Sequence, residues 1–255
     1  MALRQRSLFL YGYEVTQENS SLDFKVAALG PQISATLRLG FYSLSSLMLE
    51  IKRACEEADP SSALFTVTAD RTIAGGTQNR VTIAKDGIFL TLLFATGTRV
   101  VTSVASLIGF TNTDLTGATT YTGTISSGTV FLTDPNFPGH DWRSPLYFKE
   151  NKGIVNRSAS GKKEAIVFQV ISYFQVRFKY ILEADAPAWA ALLTWLIGQR
   201  LVEFTPEVGL PNVFYQATLE STADDGKGLG FNLQEMTPGM PGLFDTGVMK
   251  FLVQL

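Results

Sequence analysis

The chain has 255 residues, of which 45% are hydrophobic and 17% are charged. This composition excludes an intrinsically disordered chain, and the length suits one or two domains. With 21 Lys and Arg against 23 Asp and Glu, the net charge of -2 excludes a nucleic-acid or anionic-membrane surface covering the whole protein. The low charged content favours a protein that is buried in an assembly.

One cysteine and one histidine limit the chemistry that the chain can perform. Cys55 can form no intrachain disulfide, and with His140 it supplies no cluster with zinc-ligand spacing. Such a composition fits assembly in a reducing cytosol. The most apolar later stretch, 165–182, contains Gln, Arg and Lys side chains that a membrane span does not tolerate on its lipid face, so no transmembrane segment is predicted.

The first half of the chain predicts short strands around one helix. Apolar and β-branched runs predict strands at 7–15 and 33–39. A helix is predicted over 43–58, with Ser43 as its N-cap and Asp59 at its end. Its apolar face consists of Leu44, Leu47, Met48, Ile51, Cys55 and Ala58, and its other side consists of Glu50, Lys52, Arg53, Glu56 and Glu57.

Three short strands are then predicted near 65–69, 80–84 and 88–94, and one short helical turn within 100–110. From 111 to 139 the composition shifts to Thr, Ser and Gly, which predicts extended loops. We expect this segment to be poorly structured in an isolated subunit and to become ordered at a contact. The domains are accordingly predicted at 1–145 and 161–255, with a linker over 146–160.

The second half predicts several strands around another helix. A long strand opens at Lys162 and runs to about Leu182, with Ile166, Phe168, Val170, Phe174, Val176, Phe178 and Tyr180 on one face. Asp185 caps a helix predicted over 185–200, whose apolar stripe consists of Trp189, Leu192, Leu193 and Leu196. Further strands are predicted at 201–204, 213–219, 229–233 and 248–255.

The candidates for chemistry all have plain structural interpretations. His140 is interpreted as a loop histidine, Cys55 as a buried thiol, and the Asp224 and Asp225 pair as solvated carboxylates. Trp142 is the one aromatic residue in the connector that could stack on a sugar. No nucleophile motif, Walker A loop or zinc-protease motif is present. No catalytic, cofactor-binding or metal-binding residue is therefore predicted, and the chain is predicted not to be an enzyme.

Two parts of the sequence resemble virion proteins of tailed bacteriophages. Residues 33–122 look like a module of virion structural proteins, through the entry Gly40-Phe-Tyr-Ser to the first helix and the turn Leu107-Ile-Gly-Phe. The second half is similar in layout to tail tube and distal tail proteins, with a long strand, the helix over 185–200 and a return strand containing Phe204, Thr205 and Pro206.

The resemblance implies an α+β, mostly β fold class, with two β-rich domains that each have one main helix and a second domain like a split β-barrel. It also implies a non-enzymatic structural subunit of a tail tip or baseplate, assembled in the host cytoplasm and located in the virion tail. The partners implied are identical copies in a ring, the tail tube and other tail-tip proteins, with no membrane and no specific nucleic acid. The ring is expected to be a hexamer, or a trimer if each subunit contributes two barrel-like halves.

Two alternatives stay open on the same residues. A head-completion or capsid decoration protein fits the first module, and a carbohydrate-binding or glycan-degrading protein fits Trp142, the acidic residues and the β-rich fold. Self-association is expected through the strand from Glu164 to Leu182, which is long enough to pair with the sheet edge of a neighbouring copy. The other interpretation is that this strand bends at Ser172 and Tyr173 and stays within one barrel.

Overall fold

The structure is a computed structural model, and it describes residues 8–27, 29–59, 61, 64–72, 79–125, 130–133, 146–157, 160–161, 163–206, 209–210, 212–221, 234–235 and 242–254. Two compact units make up the chain. The amino-terminal unit comprises Leu8–Leu132 and Leu201–Phe214, and the carboxy-terminal unit comprises Thr133–Arg200 and Tyr215–Leu255. Each unit contains one α-helix among several strands, which confirms the mostly β, α+β fold class.

The amino-terminal unit consists of short antiparallel sheets around one helix, α1 (Leu44–Ala58). Its strands are β1 (Leu8–Tyr11), β2 (Tyr13–Val15), β3 (Ser21–Val26), β4 (Gln32–Thr36), β5 (Gly40–Tyr42), β6 (Phe65–Ala69), β7 (Arg80–Lys85), β8 (Leu90–Leu92), β9 (Leu115–Ala118), β10 (Thr120–Ile125), β11 (Val130–Thr133) and β15 (Val202–Thr205). One sheet has the order β4-β3-β8-β9, another has the order β10-β7-β6, and β1 pairs with β15. A short 3-10 helix spans Val100–Thr102.

Helix α1 forms where its sequence predicts. Ser43 and Ser46 form a reciprocal capping box, in which each side chain accepts a hydrogen bond from the backbone amide of the other. The apolar face is buried against the sheets and shares one core with residues of β3, β6, β7 and β8. Its buried residues are Leu44, Leu47, Met48, Glu50, Ile51, Ala54 and Cys55. The predicted apolar face is therefore confirmed, and the buried glutamate is an addition to it.

Glu50 is buried although it belongs to the side of the helix on which the sequence places charged residues. Its carboxylate accepts a hydrogen bond from the Arg38 backbone amide at 2.6 Å and another from Arg53 Nε at 2.8 Å. Burial alone opposes ionisation, but these contacts outweigh it and hold the pKa of Glu50 below its ordinary value. Glu50 thus ties the middle of α1 to the segment that follows β4.

Buried ion pairs lie at both ends of α1. At its start, the backbone amide of Ser45 donates to Glu203 of β15 at 3.1 Å, and Arg71 pairs with the same fully buried carboxylate. At its end, the C-cap Asp59 pairs with the buried ammonium of Lys85 in β7. A carboxylate is favourable at a helix N-terminus and unfavourable at a C-terminus, so Asp59 depends on the Lys85 charge.

The described residues of the Thr- and Gly-rich segment, 111–125 and 130–133, are mostly strands, which corrects the prediction of extended loops there. Strands β9, β10 and β11 lie within it, and β10 pairs with β7 from Thr120 to Ile125. The Tyr121 hydroxyl donates to the Leu90 carbonyl at 2.9 Å and accepts from the Ala118 amide at 3.0 Å. Threonine is a good strand residue, and neighbouring strands supply the core that this segment lacks by itself.

The predicted strand over 7–15 is split into β1 and β2 at Gly12, whose φ is 98°. Strand β3 was not predicted at all. Four consecutive residues of β3 are buried, including Asp23. The alternation of buried and exposed residues by which a half-exposed strand is recognised is therefore missing.

The carboxy-terminal unit is built on a long antiparallel hairpin. Its elements are β12 (Leu146–Arg157), β13 (Lys163–Arg177), β14 (Ile181–Leu182), α2 (Ala186–Ile197), β16 (Tyr215–Ser221), β17 (Gln234–Glu235), β18 (Leu243–Asp245) and β19 (Val248–Val253). Strands β16, β19, β13 and β12 form consecutive antiparallel ladders. Within the described ranges, no sheet closes into a barrel.

The units differ from the predicted domains. The segment predicted as a linker over 146–160 is mostly strand β12, and residues 201–214 belong to the amino-terminal unit. Helix α2 is shorter than the predicted 185–200, and its N-cap Asp185 makes no side-chain capping hydrogen bond. The strand predicted at 229–233 lies outside the described residues.

The core of the carboxy-terminal unit is aromatic. The rings of Phe178 and Trp189 lie 4.7 Å apart, which joins the segment after β13 to α2. The predicted stripe of α2 is buried as expected, and Trp195 is buried with it. Among the helices that the structure describes, none is long and apolar enough to cross a membrane.

Replacing Leu47 with Asp should lower the free energy of unfolding by about 4 kcal/mol, because Leu47 is fully buried in the core and the new carboxylate would have no partner. The matched control is Leu49→Asp on the same helix, where the side chain is 64% exposed and we expect a change within about 0.5 kcal/mol. Urea unfolding measures both variants. Equal stability of the two would contradict the assigned helix face.

Stability should fall with acid below about pH 4 through Asp59 and Glu50. Burial opposes ionisation of Asp59, but hydrogen bonds from Lys85 and Ser61 outweigh it and lower its pKa. A carboxyl group with a lower pKa in the folded state stabilises the protein above its unfolded-state pKa, and this stability is lost as the pH falls through the folded-state pKa.

The variant Asp59→Asn tests the pair directly. It should cost about 3 to 5 kcal/mol at pH 7, because it leaves the Lys85 ammonium buried without its counter-charge, and it should flatten the acid dependence. Asp86→Asn, at an exposed aspartate one residue after Lys85, is the control at pH 7. Chemical unfolding between pH 3 and pH 7 gives both results, and an unchanged acid limb in Asp59→Asn would contradict the assignment.

Candidate assembly surface

The hairpin of β12 and β13 extends beyond the sheet to which it belongs. Strand β12 pairs with β13 from Leu146 with Gln175 to Arg157 with Lys163, with one register shift between Lys152 and Gly153. Strand β19 pairs with the other edge of β13 over Tyr173–Arg177 alone, among the described residues. We call residues 150–157 and 163–172 the arm. At about 3.3 Å per residue, the ten residues of β13 in the arm span roughly 33 Å.

Aromatic rings cover both faces of the hairpin where the arm begins. On one face, the rings of Phe148 and Tyr173 are stacked with centroids 5.3 Å apart, and the Lys250 ammonium lies 4.0 Å from the Tyr173 centroid. On the other face, the rings of Phe174 and Phe251 are nearly parallel and 4.8 Å apart. Such contacts fix the base of the arm, because buried aromatic pairs and cation–π contacts add to area burial.

A charged pair holds the other end of β13. The Arg177 guanidinium donates to both oxygens of Asp245, with contacts of 3.0 Å from Nε to Oδ1 and 2.7 Å from Nη2 to Oδ2. Asp245 also accepts from the Gly247 amide at 2.7 Å, and it is largely buried. A fork of this geometry orients both groups, so β13 enters the sheet in one register.

Among the described residues, the arm has two sheet edges without a strand partner: the edge of β13 over 163–172 that faces away from β12, and the outer edge of β12, which is the last strand of its sheet. Val170 lies in the β13 part of the arm and is 47% exposed, whereas Phe174, four residues later, is fully buried. The backbone groups of 163–172 that point away from β12 are free to bond with another strand, among the residues that the structure describes. Strand addition at such an edge gives affinity through main-chain hydrogen bonds.

The structure tests part of the predicted long strand. Strand β13 ends at Arg177, and Tyr180 has a φ of 62°, so the strand does not run unbroken to Leu182 as predicted. It does run without a break through Ser172 and Tyr173, where the alternative interpretation places a bend. Of the residues predicted to share its apolar face, Phe174, Val176 and Phe178 are buried and Val170 and Tyr180 are exposed. The face is therefore a core face from Phe174 to Phe178 and is exposed at Val170, while the side chains of Ile166 and Phe168 lie outside the described part of the chain.

The described residues bring no catalytic set together. Cys55 is buried as predicted, and burial raises the pKa of its thiol to about 12, so the thiol stays protonated at neutral pH. No group of three or more His, Cys, Asp and Glu residues within the described ranges is arranged to hold a metal ion. His140, Trp142, Lys162, Asp224 and Asp225 lie outside those ranges.

No family model and no curated protein matches the chain.

Amide hydrogen exchange should divide β13 at Tyr173. Residues 163–172 pair on one edge, so about half of their amides should exchange quickly, whereas Tyr173–Arg177 pair on both edges and should be protected. NMR or mass-spectrometric exchange on the dispersed chain measures this difference, and Tyr173–Arg177 serve as the internal control. Uniform protection along β13 would contradict an open edge.

Proposed function

We propose that this protein is a non-enzymatic structural subunit that forms a ring of identical copies through its arm, as part of the tail tip or baseplate of a tailed bacteriophage. One observation carries the proposal: among the described residues, β13 pairs on both edges over Tyr173–Arg177 and on one edge, with β12, over 163–172. The occupant of the free edge is the sheet edge of a second copy.

The energetics of an open edge support self-association. A long edge with unpaired amides and carbonyls is an aggregation hazard unless a specific partner covers it. Pairing one edge with a different edge of the next copy is a head-to-tail contact, and head-to-tail contacts close into a ring when the rotation between copies permits. The low charged fraction of 17% agrees with a chain whose surface is largely covered by other subunits.

The layout of the carboxy-terminal unit supports the tail assignment. A long antiparallel hairpin is followed by one helix, α2, as in the layout that resembles tail tube and distal tail proteins, whereas the return strand of that layout, β15 with Phe204 and Thr205, belongs to the amino-terminal unit. The side-chain amide of Gln199, just after α2, donates to the Leu219 carbonyl of β16 at 2.9 Å. A split barrel of the tail-tube kind is the form that we propose for this unit in the assembled ring.

Native mass spectrometry and electron microscopy of the purified full-length chain test the proposal. We expect a ring of six copies, or three copies if each subunit contributes two barrel-like halves, with the arm at each contact between copies. Antibodies against the chain should label one end of the tail in phage particles. A chain that stays monomeric at high concentration, or a ring formed through the amino-terminal unit alone, would rule the proposal out.

The variant Val170→Lys should weaken the ring by at least about tenfold in dissociation constant, because a lysine on an edge strand opposes strand addition. Val213→Lys is the matched control, since Val213 lies in the amino-terminal unit and is 50% exposed against 47% for Val170. Analytical ultracentrifugation measures the association of both variants, and thermal melting of the dispersed chains checks that both fold. Equal association of the two variants would contradict the arm as the contact.

A further inference from the structure

An open pocket lies on the outer face of the β4-β3-β8-β9 sheet, in the amino-terminal unit. Its volume is about 490 Å³, and its lining includes Lys25, Phe89, Thr91, Leu93, Asp114 and Thr116. These residues come from β3, β8 and β9 and from the segments beside them. Lys25 and Thr91 are direct cross-strand partners, so their side chains share a face, and this face is opposite to the one on which Phe24 and Leu92 are buried.

Several groups in the pocket have no partner within the described part of the chain. The Lys25 ammonium and the hydroxyls of Thr91 and Thr116 make no hydrogen bond or ion pair there. The Phe89 side chain is 60% exposed, although it is one of the largest apolar side chains of the unit. Next to it, Leu93 gives the pocket a buried apolar wall.

Two carboxylates fix the loop that forms the rim. Asp114 accepts hydrogen bonds from the Ala95 amide at 2.7 Å and from the Thr96 amide at 3.1 Å, and it also contacts the Thr96 hydroxyl. Asp23 accepts from the Arg99 amide at 2.7 Å. These hydrogen bonds hold the rim in place without a ligand, which lowers the entropic cost of binding.

The loop also passes unusually close to β3 at Gly97. A Cβ atom at that position would lie 2.5 Å from Asp23 Oδ2 and 2.7 Å from the Leu93 carbonyl oxygen, so no side chain fits. Glycine is required there by the close approach of the loop to the sheet. This contact supports a rim that is held in place rather than loosely attached.

The charges of the pocket restrict its ligand. Burial opposes ionisation of Asp114, but the hydrogen bonds from Thr96 and Ala95 and the nearby Lys25 charge lower its pKa, so Asp114 is negative at neutral pH. Asp114 Oδ1 accepts from two amides and Oδ2 accepts from the Thr96 hydroxyl, and Oδ2 keeps a second lone pair that can accept from a ligand hydroxyl. A ligand must place one anionic group at Lys25 and keep any second anion away from Asp114.

We propose that this pocket binds a saccharide that carries a single carboxylate, of the uronic acid class. The carboxylate pairs with the Lys25 ammonium, the apolar face of the sugar ring lies on Phe89 and Leu93, and the ring hydroxyls bond to Thr91, Thr116 and the remaining lone pair of Asp114 Oδ2. The inference concerns the amino-terminal unit alone, and it holds whether or not the chain forms a ring.

Saturation-transfer difference NMR with D-glucuronate on the full-length chain tests the site, because the method works on monomers and on large assemblies. We expect a dissociation constant of about 1 to 10 mM for glucuronate and at least about tenfold weaker binding of D-glucose, which lacks the carboxylate. Lys25→Gln should remove the preference for glucuronate over glucose. Phe89→Ala should weaken both sugars by about tenfold, through loss of the ring contact.

The control variant is Lys52→Gln on α1, which changes a partly exposed lysine outside the pocket and should leave both affinities as they are. Because Phe89 is 60% exposed and Lys25 and Lys52 are only partly buried, all three variants should melt like the natural chain. Three outcomes would overturn the proposal: no glucuronate binding up to about 50 mM, unchanged preference in Lys25→Gln, or tighter binding of adenosine monophosphate than of glucuronate. The last would assign the pocket to a nucleotide.

Discussion

The pairing of charges along helix α1 is the constraint on which the amino-terminal unit depends. A helix with a buried apolar face cannot leave the carboxylates beside it without partners, and here each carboxylate binds a different part of the chain. Glu203 accepts a hydrogen bond from the Ser45 amide in the first turn of the helix. Glu50 accepts one from the Arg38 amide, and Asp59 forms an ion pair with Lys85. Each of these carboxylates is buried, so the loss of its partner is costly whatever the pair contributes to net stability.

The pair at Glu203 also explains how the chain is organised. Ser45 and Glu203 are 158 residues apart in sequence, and the segment between them includes β12, β13 and α2 of the carboxy-terminal unit. The chain therefore returns to the amino-terminal unit at β15 and then goes back to the carboxy-terminal unit, to which β16 and β19 belong. The entropic cost of closing a loop grows only slowly with its length. The hydrogen bonds of the buried Glu203 carboxylate and the pairing of β15 with β1 offset this cost.

In the carboxy-terminal unit, one strand has two environments. The base of β13 is fixed between aromatic pairs on both faces and ends in the fork of Arg177 and Asp245, whereas the arm has a partner on one edge. A rigid base that carries an open edge presents main-chain donors and acceptors in a defined direction. This is the property that strand addition between copies requires, and it needs no catalytic group.

Sequence alone determined the elements whose signals are local. Helix α1 with its Ser43 cap and apolar face, the apolar stripe of α2 and the strand β6 follow from periodicity and capping, which are properties of neighbouring residues. Tertiary structure decided what depends on distant partners. Glu50 is buried only because of its tertiary contacts. The Thr-rich segment and the expected linker contain strands because other strands pair with them, and the pocket around Lys25 is formed by residues of three strands and their flanking segments. None of these could be predicted, because a strand's stability and a charge's burial are set by residues far away in sequence.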